Sequence, residues 1–267
     1  MKTILITGAS SGLGKAAAKL FAGKGWIVIA TMRNPEKETE LHKMTNVHLL
    51  QLDIGNNDQI NDVIKKAWVI SPVDVLFNNA GYVLLGPMEA MNNEQITQQV
   101  NVNLLGTIRI TNGFLPNFRE RKSGLIITTT SLGAYTPEPF MALYKATKAA
   151  LEAWTEGMSI ELDKIGVGIK TIIPSFMKTN FVDNAQVVMH PAYERWIHQV
   201  LDVYTRPETG ASADTPEAIA EIVFEAATDD KKQMHYFAGN DAIQRYGWLQ
   251  KEGIEAVKLA MEKCFFE

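Results

Sequence analysis

Seven short apolar runs punctuate the chain, at residues 3–7 (TILIT), 26–30 (WIVIA), 47–52 (VHLLQL), 73–77 (VDVLF), 125–130 (LIITTT), 168–174 and 234–238. They are rich in β-branched residues and apolar on both alternations, which suits strands buried on both faces of a parallel sheet. Between the early runs lie stretches with helical spacing, at 13–24, 36–44, 59–69 and 94–121. Pro116 predicts a kink or a restart in the last of these, because proline cannot donate to the helix ladder. Strands alternating with helices imply right-handed βαβ units. The expectation is one α/β domain over residues 1–267: a doubly wound, mostly parallel seven-stranded sheet with helices on both faces, of Rossmann type.

Length and charge narrow the classes. With 267 residues the chain suits one large domain, and 46% hydrophobic with 21% charged residues is an ordinary globular composition. The net charge of −4, with no basic block, argues against a nucleic-acid partner. Cys264 stands alone, so no internal disulfide forms. The first strand-like run follows Met1 directly, which reads as no signal peptide, and no apolar run reaches the ~18 residues of a membrane span. The expectation is a soluble, cytoplasmic protein.

The strand–helix rhythm breaks between residues 175 and 214, a stretch carrying Phe176, Phe181, Tyr193, Trp196 and Tyr204. An excursion of about 40 residues inside a compact domain is usually a lid or binding segment. Residues 192–204 within it have the spacing of an amphipathic helix. Thr215-Pro216-Glu217 then reads as an N-cap followed by proline at the first helical position, opening a helix to about Thr228. The tail, 241–263, reads as helical, weakened by Gly247 and Gly253.

Thr7-Gly8-Ala9-Ser10-Ser11-Gly12-Leu13-Gly14 joins the first strand to the first helix. Positions without side chains let the backbone approach a pyrophosphate, and the helix N-terminus offers amides and partial positive charge to it. An ordinary glycine-rich turn is the alternative, but the first βα junction of a doubly wound sheet is where a dinucleotide binds. In such folds an acid roughly 20 residues past the glycines holds the ribose 2′-hydroxyl of NAD. Here the chain reads Ala30-Thr31-Met32-Arg33-Asn34, with no acid before Glu36. Arg33 can pair instead with a 2′-phosphate, which points to NADP(H). Lys15 and Lys37 are further cations nearby.

Among the seven tyrosines only Tyr144 has a lysine, Lys148, four residues later. On a helix the two lie on one face. A neighbouring ammonium favours the phenolate, giving a proton donor and acceptor usable near neutral pH. Ser131 precedes them. None of the five histidines has metal-ligand spacing, and a cofactor that carries hydride needs no metal.

Thr7-Gly8-x3-Gly12-x-Gly14, Asn78-Asn79-Ala80-Gly81 after the fourth strand, and Ser131 with Tyr144-x3-Lys148 together resemble the short-chain dehydrogenase/reductase family, and Ala30-Thr31-Met32-Arg33-Asn34-Pro35 is most similar to its hydroxysteroid and retinol dehydrogenase-like branch. The resemblance implies that Tyr144 is the general acid or base, that Lys148 lowers its pKa and holds the nicotinamide ribose, and that Ser131 orients the substrate oxygen. It implies a proton relay through Asn103, with Asn101 the rival for that place. It puts Asp53 and Ile54 at the adenine, Asn79, Ala80 and Gly81 along the adenosine side, and Pro174 and Thr179 at the nicotinamide. Ser175 replaces the family's glycine after Pro174, a strained choice if its φ is positive. The resemblance also implies a homodimer or homotetramer.

Val83, Leu84 and Leu85, the loop 132–140 and the segment 176–204 are expected to bound the substrate pocket. They are apolar and aromatic, with no evident arginine clamp, so a mostly apolar ketone or aldehyde is expected, reduced with NADPH. An NAD-dependent alcohol dehydrogenase of the same fold and a non-catalytic NADP(H) sensor are the rival readings.

Overall fold

The computed structural model describes residues 1–177, 185–206, 209 and 213–267. Seven strands form the central sheet: β1 (Thr3–Thr7), β2 (Ile27–Met32), β3 (Val47–Gln51), β4 (Val75–Asn78), β6 (Gly124–Thr129), β7 (Val167–Pro174) and β9 (His235–Ala238). A separate parallel pair joins β5 (Leu84–Leu85) to β8 (Gln186–Val187). The sheet order is β3-β2-β1-β4-β6-β7-β9, and every pairing is parallel. The chain reverses its direction of travel between β1 and β4, and the crevice at the carboxyl ends there is where a doubly wound sheet binds ligands.

Period-two alternation sorts each strand between two cores. Ile4 and Ile6 face one cluster while Leu5 between them faces the other. Helices α1 (Gly12–Gly23) and α7 (Pro216–Thr228) cover the first, where Phe21 meets Trp26 and Phe224 edge to face with centroids 5.0 and 5.1 Å apart. Helices α2 (Asn57–Ile70) and α4 (Thr107–Arg121) pack Trp68, Phe114 and Phe118 into the second, which also receives Leu162 of α5 (Ala142–Asp163).

Three expectations from sequence change here, and one holds. Residues 36–44 are not an α-helix. They form two single 3₁₀ turns, Pro35–Lys37 and Leu41–Lys43, because the Glu38 carboxylate accepts from the amides of Glu40 (2.7 Å) and Leu41 (3.0 Å) and ends helical growth. The helix over 94–121 does not restart at Pro116. It divides earlier, into α3 (Asn93–Val100), a π-helical stretch over Asn101–Gly106, and α4, which runs through the proline. The tail divides at Gly253 (φ +83°) into α8 (Asn240–Glu252) and α9 (Ile254–Phe266), while Gly247 stays inside α8. Within the stretch read as a lid, α6 (Glu194–Thr205) forms as the spacing predicts, and β8 ties the segment to β5 through Gln186 N–H to Val83 O (3.0 Å) and Val188 N–H to Leu85 O (2.8 Å).

Candidate active site

Between β1 and α1 the backbone folds into a cradle that side chains would fill. Gly8 and Gly12 take φ of +69° and +51°, the left-handed region that favours glycine. A Cβ on Gly8 would lie 2.8 Å from the Ala80 Cα, and one on Gly14 would lie 2.3 Å from the Gly8 oxygen. The neighbouring strand end braces this turn. The Thr7 hydroxyl accepts from the amides of Asn79 (2.9 Å) and Ala80 (3.0 Å), and the Asn79 side chain donates to the carbonyls of Thr7 and Gly8 (3.2 Å each). Ser11 stands at the N-cap of α1, yet its side chain makes no capping bond, so the first-turn amides remain available to an anion.

The cradle opens into a cavity of about 810 Å³. Gly8, Ser10, Ser11, Gly12, Leu13, Arg33, Asp53, Ile54, Asn79, Ala80, Gly81 and Pro174 line it together with Ser131, Tyr144 and Lys148. Gly14 lies behind the turn, against Gly8 and Asn79. Thr179 lies outside the described residues, as does Phe181. A tight glycine cradle, an uncapped helix start and a cavity that continues past them fit a dinucleotide cofactor.

At the other end, Ser131 stands two residues beyond β6 and accepts from the Gly133 amide at 3.0 Å, capping the turn Leu132–Ala134. Its hydroxyl also hydrogen-bonds Tyr144. Helix α5 sets Tyr144 and Lys148 one turn apart, with the lysine Nζ 5.7 Å from the tyrosine ring centroid. Both are buried. The expected fall in the phenol pKa is not found. Burial holds Tyr144 above the ordinary tyrosine range, the Ser131 hydrogen bond offsets part of this, and the nearby Glu138 charge adds to it. Lys148 instead donates to the Thr129 carbonyl at 2.8 Å, and burial brings its pKa down to about 8 against the pull of Glu152.

The π-helical stretch brings Asn103 under this pair. Its Oδ1 accepts from Tyr82 N–H (3.0 Å) and its Nδ2 donates to Tyr82 O (2.8 Å). A Cβ on Gly81 would lie 3.3 Å from Asn103 Oδ1 and 3.7 Å from Lys148 Nζ, so both side chains face one point. Asn101 bonds Gly55 O (2.9 Å) and receives Arg109 (2.6 Å), away from the lysine.

The sequence pattern of the family described as short chain dehydrogenase matches residues 2–187. The chain belongs to this family. An uncharacterized oxidoreductase of Schizosaccharomyces pombe is 33% identical over 214 residues, covering 80% of this chain and 90% of that protein. The 17-beta-hydroxysteroid dehydrogenase type 1 of Homo sapiens is 30% identical, covering 88% and 76%, in keeping with the hydroxysteroid-like branch. A short-chain dehydrogenase structure from Streptomyces avermitilis superposes with a TM-score of 0.84 at 27% identity, covering 98% and 96% of the two chains. The structure of ElxO with NADP bound superposes at 0.76 and 25% identity, covering 91% and 99%. The protein is thus an oxidoreductase of the short-chain dehydrogenase family.

Several further residues take definite places around the cavity. Lys15 is engaged by Glu38 (3.1 Å) and Glu40 (2.7 Å), and Lys37 does not reach the cavity, which leaves Arg33 as the cation at the end of β2. Asp53 both faces the cavity and caps its own turn, accepting from Gly55 N–H at 2.9 Å. Ser175 is not strained, since its φ is not positive, and its hydroxyl donates to Asp241. Val83 and Leu85 line the cavity, but Leu84 does not.

The tail supplies wall residues that sequence reasoning did not place. Asp241 and Arg245 of α8, and Met261 and Phe265 of α9, line the cavity, and Glu138 reaches it from the loop before α5. An arginine on a polar helix face carries no sequence signal that it points inward.

Proposed function

We propose that the protein reduces a ketone or aldehyde with NADPH, with Tyr144 giving the proton. The observation that carries this reading is the convergence of the glycine cradle, Ser131, Tyr144 and Lys148 on one cavity. NADPH would be held by the cradle and the first turn of α1, with Arg33 at its 2′-phosphate, and when bound it supplies the hydride. The absence of an acid between the glycine turn and Glu36, and the Arg33 guanidinium, which forms no ion pair among the described residues, favour the phosphorylated cofactor. The relative ElxO has NADP bound in its structure, which agrees.

Ser131 holds and orients the carbonyl oxygen toward the tyrosine. Tyr144 carries its proton at neutral pH and stands ready as a donor, and with NADPH as the cofactor reduction is the favoured direction. Lys148 places positive charge beside the phenolate left behind, and Asn103 positions the path by which that proton is replaced. Apolar Val83, Leu85, Met141 and Phe265 shape the substrate end for an apolar body. The described part of 175–214, with α6 and the β8 tie, acts as the cover of this end.

A panel of ketones and aldehydes with NADPH, read by absorbance at the nicotinamide band, tests the proposal. Consumption of NADPH well ahead of NADH is expected. Binding of NADPH without consumption across a broad panel would favour the sensor reading.

A further inference from the structure

The substrate end of the cavity is not uniformly apolar. Glu138, Asp241 and Arg245 reach it from two elements far apart in sequence. Arg245 Nη1 lies 3.5 Å from Asp241 and Nη2 3.7 Å from Glu138. The second distance exceeds a hydrogen bond and Nη2 donates instead to the Met261 sulfur at 3.3 Å, so among the described residues Arg245 and Glu138 attract each other without a direct hydrogen bond between them. Tyr204 hydrogen-bonds Glu138 from α6. Glu138 and Arg245 are partly exposed, at 16% and 26%, and the surface they retain faces the cavity.

This pair sits beside the reacting end. A Cβ built on Gly133 would lie 3.2 Å from the Ser131 hydroxyl and 3.7 Å from the Glu138 carboxylate, so the two oxygens flank one point. The Glu138 charge also reaches the Tyr144 hydroxyl. Charge decides what the pair can accept. A carboxylate would meet Glu138 and Asp241, and an ammonium would meet Arg245. A neutral group that both donates and accepts is repelled by neither.

Resting on the reading that this cavity holds a carbonyl substrate, we propose that Glu138 and Arg245 form a subsite for a neutral hydroxyl close to the substrate's carbonyl. The hydroxyl donates to Glu138 and accepts from Arg245, and the apolar walls take the rest of the molecule. The substrate class is then a hydroxyketone or hydroxyaldehyde with an apolar body.

Two matched pairs test this: phenacyl alcohol against acetophenone for turnover with NADPH, and styrene glycol against α-methylbenzyl alcohol for calorimetric binding in the presence of NADP. A hydrogen bond to a charged group corresponds to a preference of about tenfold or more for the hydroxylated member of each pair. The double variant E138L/R245L, which leaves no unpaired charge of this pair, brings both ratios close to unity. R245Q, which keeps bulk and a donor, lowers them less and decides the matter if the double variant does not fold. Ratios near unity in the native protein, or ratios that survive these substitutions, overturn the subsite. Turnover without hydroxyl preference overturns the subsite and leaves the reductase reading standing. A glycol preference that the variants abolish, with no turnover of either ketone, supports the subsite and overturns the reductase reading.

Discussion

The Lys148 ammonium donates to the main-chain carbonyl of Thr129 at 2.8 Å, joining the second turn of α5 to the end of β6, two residues before Ser131. A single lysine thus holds the strand end that carries the serine and the helix that carries the tyrosine. It does so as a buried charge, at a cost visible in its pKa of about 8.

That cost predicts a pH signature. Below pH 8 the lysine is charged in the folded and unfolded chains alike, and the folded protein bears the whole burial penalty. Between 8 and the ordinary 10.5 the unfolded chain binds more proton, so native stability rises with pH, and above 10.5 the penalty is gone. Lys148→Met has no such group. Its stability relative to the native protein should therefore be most favourable below pH 8 and decline by on the order of 3 kcal/mol across the window. Urea melts of both proteins at a series of pH values measure this.

Glu152, one turn beyond Lys148, is buried between strands. It accepts from the hydroxyls of Thr130 and of Thr171 (3.2 Å) and lies 3.0 Å from His235 Nδ1. The hydrogen bond with Glu152 raises the His235 pKa above 6.5. A raised histidine contributes stability that is complete below its unfolded pKa and lost as pH rises through the folded one. Glu152→Gln should therefore destabilise the protein more at pH 6 than at pH 9. Equal losses at both would separate the histidine from this carboxylate.

Much of this fold is legible in the chain because buried parallel strands need continuous apolar runs, and all seven runs are strands in the structure. The Tyr144–Lys148 pairing is legible for a similar reason, since helical spacing alone brings the two together. What escaped depends on contacts distant in sequence. Glu38 looks like a helix residue until its carboxylate is seen capping Glu40 and Leu41. Ser175 looks strained until the backbone shows its φ is not positive. Arg245 looks like a solvated charge until α8 folds back to bring it near Glu138. The two-residue strands β5 and β8 are too short for any period to announce them.

The glycine cradle should tolerate no side chain. In Gly14→Ala the new methyl meets the Gly8 oxygen at 2.3 Å and the Asn79 amide at 2.6 Å, one a rigid backbone atom. Overpacking of this kind costs roughly 1–3 kcal/mol. In a chain of this length each kcal/mol lowers Tm by roughly 2–4 °C. Calorimetry should show that fall, together with weakened NADPH binding as the cradle shifts.

Arg33 is exposed at the end of β2, and no side chain among the described residues forms an ion pair with it. Loss of a charge-assisted contact to a 2′-phosphate should weaken NADPH binding by about tenfold or more. Arg33→Asp should do this and leave NADH binding equal or improved, as read by fluorescence titration of each cofactor. Unchanged NADPH affinity would place the 2′-phosphate elsewhere.

The central claim is that Tyr144 passes a proton to a carbonyl in this cavity, and Tyr144→Phe removes that proton while keeping the ring. Single-turnover reduction of a carbonyl accepted by the native protein, measured with saturating NADPH, tests it most directly. General acid catalysis by a positioned side chain contributes about 10²–10⁴-fold, so the variant should bind NADPH with native affinity and lose at least about a hundredfold in rate. Full turnover by the phenylalanine variant would contradict the account.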